Sequence, residues 1–132
     1  MAKLWTNPKF LKGRVDWAGD VLAARIKNAP AADFDTALEI INNWRSSHSY
    51  PLQTLKMTLR TRARSVDATS ITVQRLKRLT SIAAKLQRNH NMHLSQMQDI
   101  GGCRAIVENI HHVTQIVTLY TKSYAKNPNV RV

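Results

Sequence analysis

The residues best suited to chemistry form a basic stretch between positions 75 and 85. Arg75 and Lys77 alternate along a segment with strand character, so both point to the same side of the backbone. Ser81 follows at the expected start of a helix, and Lys85 lies one turn further along the same face. Cations at a strand end and a hydroxyl at a helix start can converge on a polyphosphate. The spacing therefore favours phosphate binding.

A second feature is Asp99, one of only two acids that follow Asp67. It precedes Gly101-Gly102, which predicts a bend leading into an apolar strand over 102–108. A carboxylate beside bound phosphates is a common way to hold Mg²⁺, which prefers oxygen ligands and keeps several waters. Asp99 could instead cap a turn or pair with Arg104, and the residues alone leave both alternatives open.

A third feature is a basic helix face made by Lys56, Arg60 and Arg64. They recur every four residues, so they line one face and repel one another by about 0.3 kcal/mol per pair. Between Lys56 and Arg88 the sequence has nine basic residues and a single acid, Asp67. Such a face suits RNA or another polyanion, and it equally suits a solvated surface.

Composition limits the class of protein. The 132 residues, 43% of them hydrophobic, suffice for the core of one domain, and the net charge of +12 favours polyanionic partners. A lone cysteine, Cys103, excludes an internal disulfide and a cysteine-based zinc site. The sequence has no run of the roughly 20 apolar residues that a membrane span needs and no signal peptide, so we expect a cytoplasmic protein without membrane contact. His90, His93, His111 and His112 are interpreted as surface residues, since no third ligand stands near them.

Hydrophobic periodicity predicts the helices and strands that carry these residues. It predicts helices over 14–28, from an N-cap at Asp33 to Ser47, from Pro51 onward, from Thr80 or Ser81 to about Arg88, and from Ile110 to Tyr124. Strands are predicted at 71–77, 102–108 and 129–132. Inward-facing residues are expected to include Ile26, Phe34, Leu38, Leu55 and Leu59. The order predicts an α+β fold in one compact unit, with a helical lead-in over 1–68 and a sheet with helices over 69–132.

The two chemical stretches resemble the synthetase domain of the RelA/SpoT family, the alarmone (p)ppGpp synthetases. Arg75-x-Lys77 followed by Thr80-Ser81-Ile82-x-x-Lys85 is similar to the family's R-x-K…S-I-x-x-K stretch. Gln98-Asp99-Ile100-Gly101-Gly102-x-Arg104 is similar to its D-I-x-G-x-R strand. The lead-ins Val15–Gly19 and Ile40–Leu52 resemble those of single-domain members.

The resemblance implies a nucleotidyltransferase-like mixed sheet and the transfer of pyrophosphate from ATP to the 3′-hydroxyl of GDP or GTP. By this resemblance Arg75, Lys77, Ser81, Lys85 and Arg104 bind ATP, and Asp99 holds Mg²⁺. These residue types suit that activity, because pyrophosphate transfer depends mostly on positioning and charge neutralisation.

The resemblance is incomplete at the C-terminal side. The family's guanine-stacking tyrosine and catalytic glutamate follow the next sheet strand, and neither Tyr120, Tyr124 nor Glu108 matches them. We therefore expect an ATP half-site in a truncated relative, a fragment or an inactive remnant, with an incomplete sheet. Three functions stay open: a (p)ppGpp synthetase, a toxic relative that modifies the tRNA 3′ end and has an antitoxin partner, and a catalytically inactive domain that binds RNA or a partner.

Overall fold

A computed structural model describes residues 5–126 of the chain. Five α-helices, one 3₁₀ turn and a two-stranded sheet follow one another in the order helix–helix–helix–strand–helix–turn–strand–helix. Their bounds are α1 Lys12–Leu22, α2 Ala31–Ser47, α3 Ser49–Val66, β1 Ile71–Leu76, α4 Leu79–Arg88, the 3₁₀ turn Leu94–Gln96, β2 Gly101–Ile106 and α5 Ile110–Ala125.

Spatial contacts divide the described residues into two compact units. The first comprises 5–52 with 75–102, and the second comprises 53–74 with 103–126. Both strands continue from one unit into the other. These boundaries follow spatial contacts and differ from the predicted division at residue 68. That division is based on sequence motifs and stays a prediction.

The first unit is built around α1, which packs against α2, α4 and the 3₁₀ turn. The inward-facing residues of these helices are aliphatic and recur at helical spacing, so each helix buries a single apolar stripe along its length. Partly buried aromatic residues, Trp17 and Trp44 among them, pack against its edge. The fully buried members of this core include Val15, Ala18, Ala37, Ile40, Ile41, Ile82, Leu86, Leu94 and Ile100.

The end of α1 differs from the prediction. The helix stops at Leu22, six residues before the predicted end. Ala24 has a φ of 56°, a left-handed conformation that cannot continue a right-handed helix. Ile26 is consequently exposed, and the prediction that it faces inward was wrong.

The inner faces of α2 and α3 are also narrower than predicted. Helix α2 begins at Ala31, and Pro30 rather than Asp33 takes the N-cap position. Phe34 is 45% exposed and Leu55 is 61% exposed, so neither belongs to the core. Leu38 and Leu59 are only partly buried.

The strands confirm the α+β fold class. β1 and β2 pair antiparallel, and the amide of Lys77 continues the ladder by donating to the carbonyl of Ile100 at 2.7 Å. The two glycines that were predicted to form a bend instead open β2. A mixed sheet would need a third strand, and the predicted strand over 129–132 lies outside the described residues.

The second unit contains most of α3, all of α5, residues 71–74 of β1 and residues 103–106 of β2. Its buried positions include Ala63, Ile116, Asp67 and Ser70. No helix in the described part of the chain is both long enough and apolar enough to cross a membrane.

Close packing at Gly19 gives a test of the first unit. A Cβ there would lie 2.7 Å from Leu94 Cβ, whereas a Cβ at Gly13 on the same helix would meet nothing within 4 Å. We expect Gly19→Ala to lower the free energy of unfolding by about 1–2 kcal/mol, because neither backbone can yield easily. Gly13→Ala, the matched control, should raise it by up to about 0.5 kcal/mol. Urea denaturation measures both, and equal effects would contradict the close contact.

Candidate functional site

A pocket of about 330 Å³ lies where β1 ends and α4 begins. Arg78 has an extended backbone at the N-cap position, so α4 starts at Leu79 and Ser81 falls in its first turn. The prediction that Thr80 or Ser81 caps the helix was therefore wrong. The pocket is lined by Arg75, Leu76, Lys77, Arg78 and Ser81.

Asp99 is held by two lysines from separate elements. Its Oδ2 accepts a hydrogen bond from Lys77 Nζ at 2.9 Å, and its Oδ1 accepts one from Lys85 Nζ at 2.7 Å. The Lys77 side chain is only 13% exposed, while that of Asp99 is 51% exposed. The carboxylate thus meets the cations with one face and solvent with the other. We call these three residues the lysine–aspartate triad.

The lysines determine the ionisation of Asp99. Hydrogen bonds from Lys85 and then Lys77 lower the pKa of the Asp99 carboxyl to about 2, against a smaller opposing effect of desolvation. The group is therefore a carboxylate throughout the neutral range. An ionised, half-exposed carboxylate has the oxygen atoms and the solvent access that Mg²⁺ requires, so this residue would fit the ion once Lys77 and Lys85 turn from the carboxylate to phosphate oxygens.

Arg45 holds the backbone at the pocket. Its Nε donates to the carbonyl oxygen of Lys77 at 2.8 Å, and the amide of the same residue donates to Ile100. Both polar backbone groups of Lys77 are thereby fixed. The sequence contained no signal for this role, because Arg45 lies on α2, thirty-two residues earlier.

Arg25 anchors the other end of α4. Its Nη2 donates to the carbonyls of Leu86 at 2.6 Å and Asn89 at 2.8 Å, and its Nη1 donates to Met92 at 2.7 Å and to Asp20 at 2.9 Å. Carbonyls at a helix C-terminus lack partners within the helix, so a guanidinium group is a suitable cap. The helix that carries Ser81 and Lys85 is fixed at this end.

Comparison with known protein families gives a match to part of the second half of the chain. Residues 74–131 match the family model described as a region found in RelA/SpoT proteins. We call residues 74–131 the RelA/SpoT region. No curated protein matched the chain in a separate search.

The RelA/SpoT region contains all six residues predicted to bind ATP or metal. Arg75, Lys77 and Ser81 line one pocket, and Lys85 joins them through its shared contact with Asp99. Arg104 lies exposed on β2, in the second unit. The predicted roles of these residues in binding ATP and Mg²⁺ stay predictions.

The basic face precedes the RelA/SpoT region. Lys56, Arg60 and Arg64 all lie on α3, as predicted, with Arg60 and Arg64 exposed and Lys56 partly buried. Within residues 5–126 none of the three forms an ion pair with an acidic side chain. Their role in binding RNA or another anion also stays a prediction.

Proposed function

We propose that the RelA/SpoT region binds ATP and is the ATP half-site of a nucleotide pyrophosphokinase of the (p)ppGpp synthetase class. The 3′-hydroxyl of GDP or GTP would lose its proton and bond to the β-phosphorus of ATP, the bond from that phosphorus to the α-phosphate would break, and AMP would leave. The observation that carries this proposal is the lysine–aspartate triad beside a basic pocket. It supplies both charge signs that a metal–polyphosphate complex needs, from residues that the family's motifs contain.

Each residue has a distinct part in the proposed site. Arg75 and Lys77 neutralise phosphate oxygens from the end of β1, and Arg75 offers a planar fork that suits bidentate contact. Ser81 donates from the first turn of α4, where the backbone amides also favour an anion. Lys85 reaches the same position from the next turn. Arg45 positions Lys77 through its carbonyl.

Mg²⁺ fits at Asp99. When bound with ATP it would neutralise phosphate charge and orient the polyphosphate for transfer. The chain's own contribution is to keep Asp99 ionised and to hold two cations at the same position. Orientation of this kind can supply several kcal/mol of the barrier reduction, of the order of 7 kcal/mol in well-aligned reactions.

A lysine substitution tests ATP binding directly. We expect Lys85→Gln to weaken binding of Mg²⁺–ATP by about 10- to 100-fold, because a charge-assisted hydrogen bond contributes about 1.5–3 kcal/mol. Isothermal titration calorimetry measures the affinity. Lys12→Gln, which removes an exposed lysine at the start of α1, is the matched control and should bind like the wild type. Equal affinities for both variants, or no ATP binding by the folded wild type, would refute the nucleotide site.

A second candidate concerns the acceptor. The basic face of α3 is partly exposed and forms no ion pair with an acidic side chain in the described part of the chain, which suits contact with an RNA backbone. A protein that used tRNA as acceptor would form labelled tRNA from labelled ATP, whereas a (p)ppGpp synthetase would form labelled guanosine phosphates. Thin-layer separation of the products with GDP, GTP and tRNA distinguishes the two.

A further inference from the structure

Three groups that commonly bind metals meet in the second unit, outside the residues assigned to the nucleotide. They are a carboxylate oxygen from each of Asp67 and Glu108 and a ring nitrogen of His112, all within 4.8 Å of one another. Asp67 precedes β1, while Glu108 and His112 flank the start of α5. The chain thus brings together ligands that are about forty residues apart in sequence.

The Asp67 carboxylate is fixed before any ligand arrives. Its Oδ1 accepts hydrogen bonds from the Thr69 amide at 2.9 Å and the Thr69 hydroxyl at 2.6 Å. Its Oδ2 accepts one from the Glu108 amide at 3.1 Å. Carboxylates that bind metals are typically oriented by such outer hydrogen bonds.

His112 faces this carboxylate without forming a hydrogen bond to it. Its Nδ1 lies 3.5 Å from Asp67 Oδ2, and that nitrogen is buried and has no hydrogen-bond partner among residues 5–126. The Asp67 and His112 side chains are 5% and 21% exposed. Two ligand atoms on a tetrahedral ion, each about 2.1 Å from it, stand about 3.4 Å apart. The observed separation is therefore typical of two ligands of one ion.

We propose that Asp67, Glu108 and His112 form a binding site for a divalent transition-metal ion of the Zn²⁺ class. Asp67 and His112 supply two nearly fixed ligands. Glu108 is exposed and supplies the third by rotation of its side chain, and water completes the coordination. The imidazole ligand selects against Mg²⁺, which requires oxygen ligands in octahedral geometry, so this ion differs from the one proposed at Asp99.

Metal binding at these residues would cross-link the segment before β1 to the first turn of α5 within the second unit. The alternative is an ion pair between Asp67 and a protonated His112. That pair would bring the two groups into a direct hydrogen bond, which the structure does not have. The two interpretations differ in one measurable property, because only the metal site gives a stoichiometric response to Zn²⁺.

Zinc titration of the full chain tests the proposal. In a His90→Gln/His93→Gln background, which removes a competing pair of exposed histidines, we expect one Zn²⁺ to bind per chain in the presence of millimolar Mg²⁺. His112→Gln and Glu108→Gln should each weaken binding at least about tenfold. His111→Gln, which replaces the adjacent histidine outside the cluster, is the matched control and should leave the affinity unchanged. Calorimetry measures the affinity and the stoichiometry.

Thermal unfolding provides a second readout. Zn²⁺ at 100 times its dissociation constant should stabilise the chain by about 2.7 kcal/mol, and EDTA should reverse the shift. A chain that binds no zinc, or His112→Gln and His111→Gln variants with equal affinities, would overturn the proposal. ATP is absent from these experiments, so their outcome is independent of the nucleotide site.

Discussion

Asp99→Asn is expected to abolish the Mg²⁺ dependence of ATP binding while leaving the chain folded. Asparagine keeps the shape of the side chain and loses the negative charge that would hold the ion. The substitution also releases Lys77 and Lys85 from their shared partner. Metal-free ATP should therefore bind the variant at least as tightly as the wild type, whereas addition of Mg²⁺ should no longer raise the affinity. Calorimetric titrations with and without Mg²⁺ measure both quantities.

Asp35→Asn is the matched control for this prediction, since it removes an exposed acid from α2. It should retain the full effect of Mg²⁺. Loss of the two ion pairs to this half-exposed carboxylate should lower the free energy of unfolding by about 1–2 kcal/mol at most, which a urea titration can verify. If the Asp99→Asn variant still bound ATP more tightly with Mg²⁺ than without it, Asp99 would not be the metal ligand.

Arg25→Met should cause a large loss of stability, a decrease of about 3 kcal/mol in the free energy of unfolding. Methionine preserves much of the aliphatic volume but removes the guanidinium donors to the carbonyls of Leu86, Asn89 and Met92, of which Asn89 keeps the Met92 amide as a donor. Each backbone acceptor left without a partner costs about 1–3 kcal/mol when buried and less where water can reach it. Urea denaturation followed by circular dichroism measures the change.

Two comparisons isolate the guanidinium group as the cause. Arg88→Met removes an exposed arginine from the last turn of α4 and should change stability by less than about 0.5 kcal/mol. Arg25→Lys keeps the charge but not the planar fork, so it should recover only part of the loss. A stability of Arg25→Met equal to that of Arg88→Met would show that the carbonyls do not depend on this side chain.

Local patterns predicted most of the elements. The β-branched run at 71–77 and the helical spacing from Ile110 to Tyr124 both correspond to observed elements, β1 and α5. The errors arose where tertiary contacts decide the outcome. The chain leaves the helical conformation after Leu22, and Arg25 from this turn caps a helix sixty residues later in sequence. Hydrophobic periodicity carries no information about contacts between residues so far apart in sequence.

The residues of the candidate site could also be predicted from sequence, whereas their tertiary contacts could not. The charges of Arg75, Lys77 and Lys85 and the carboxylate of Asp99 could be identified from spacing and family resemblance. The pairing of Asp99 with the two lysines could not be predicted, because spacing equally allowed Asp99 to pair with Arg104 or to cap a turn. Arg45 was missed since its contact is to a backbone carbonyl, a group that every residue carries. The cluster of Asp67, Glu108 and His112 was missed because its members come from distant segments, and the interpretation of His112 as a surface histidine without nearby ligands was wrong.

The lysine–aspartate triad has a consequence for how the proposed site responds to ionic strength. On nucleotide binding, Lys77 and Lys85 would exchange a carboxylate for phosphate oxygens, and Asp99 would exchange two ammonium groups for another cation. Each exchange replaces one pair of adjacent opposite charges with another, so the number of such pairs at these three residues hardly changes. Screening by salt then weakens reactant and product contacts alike. Lys77 and Lys85 would therefore add little to the salt dependence of nucleotide affinity, while the attraction between ATP and the net charge of +12 stays subject to screening.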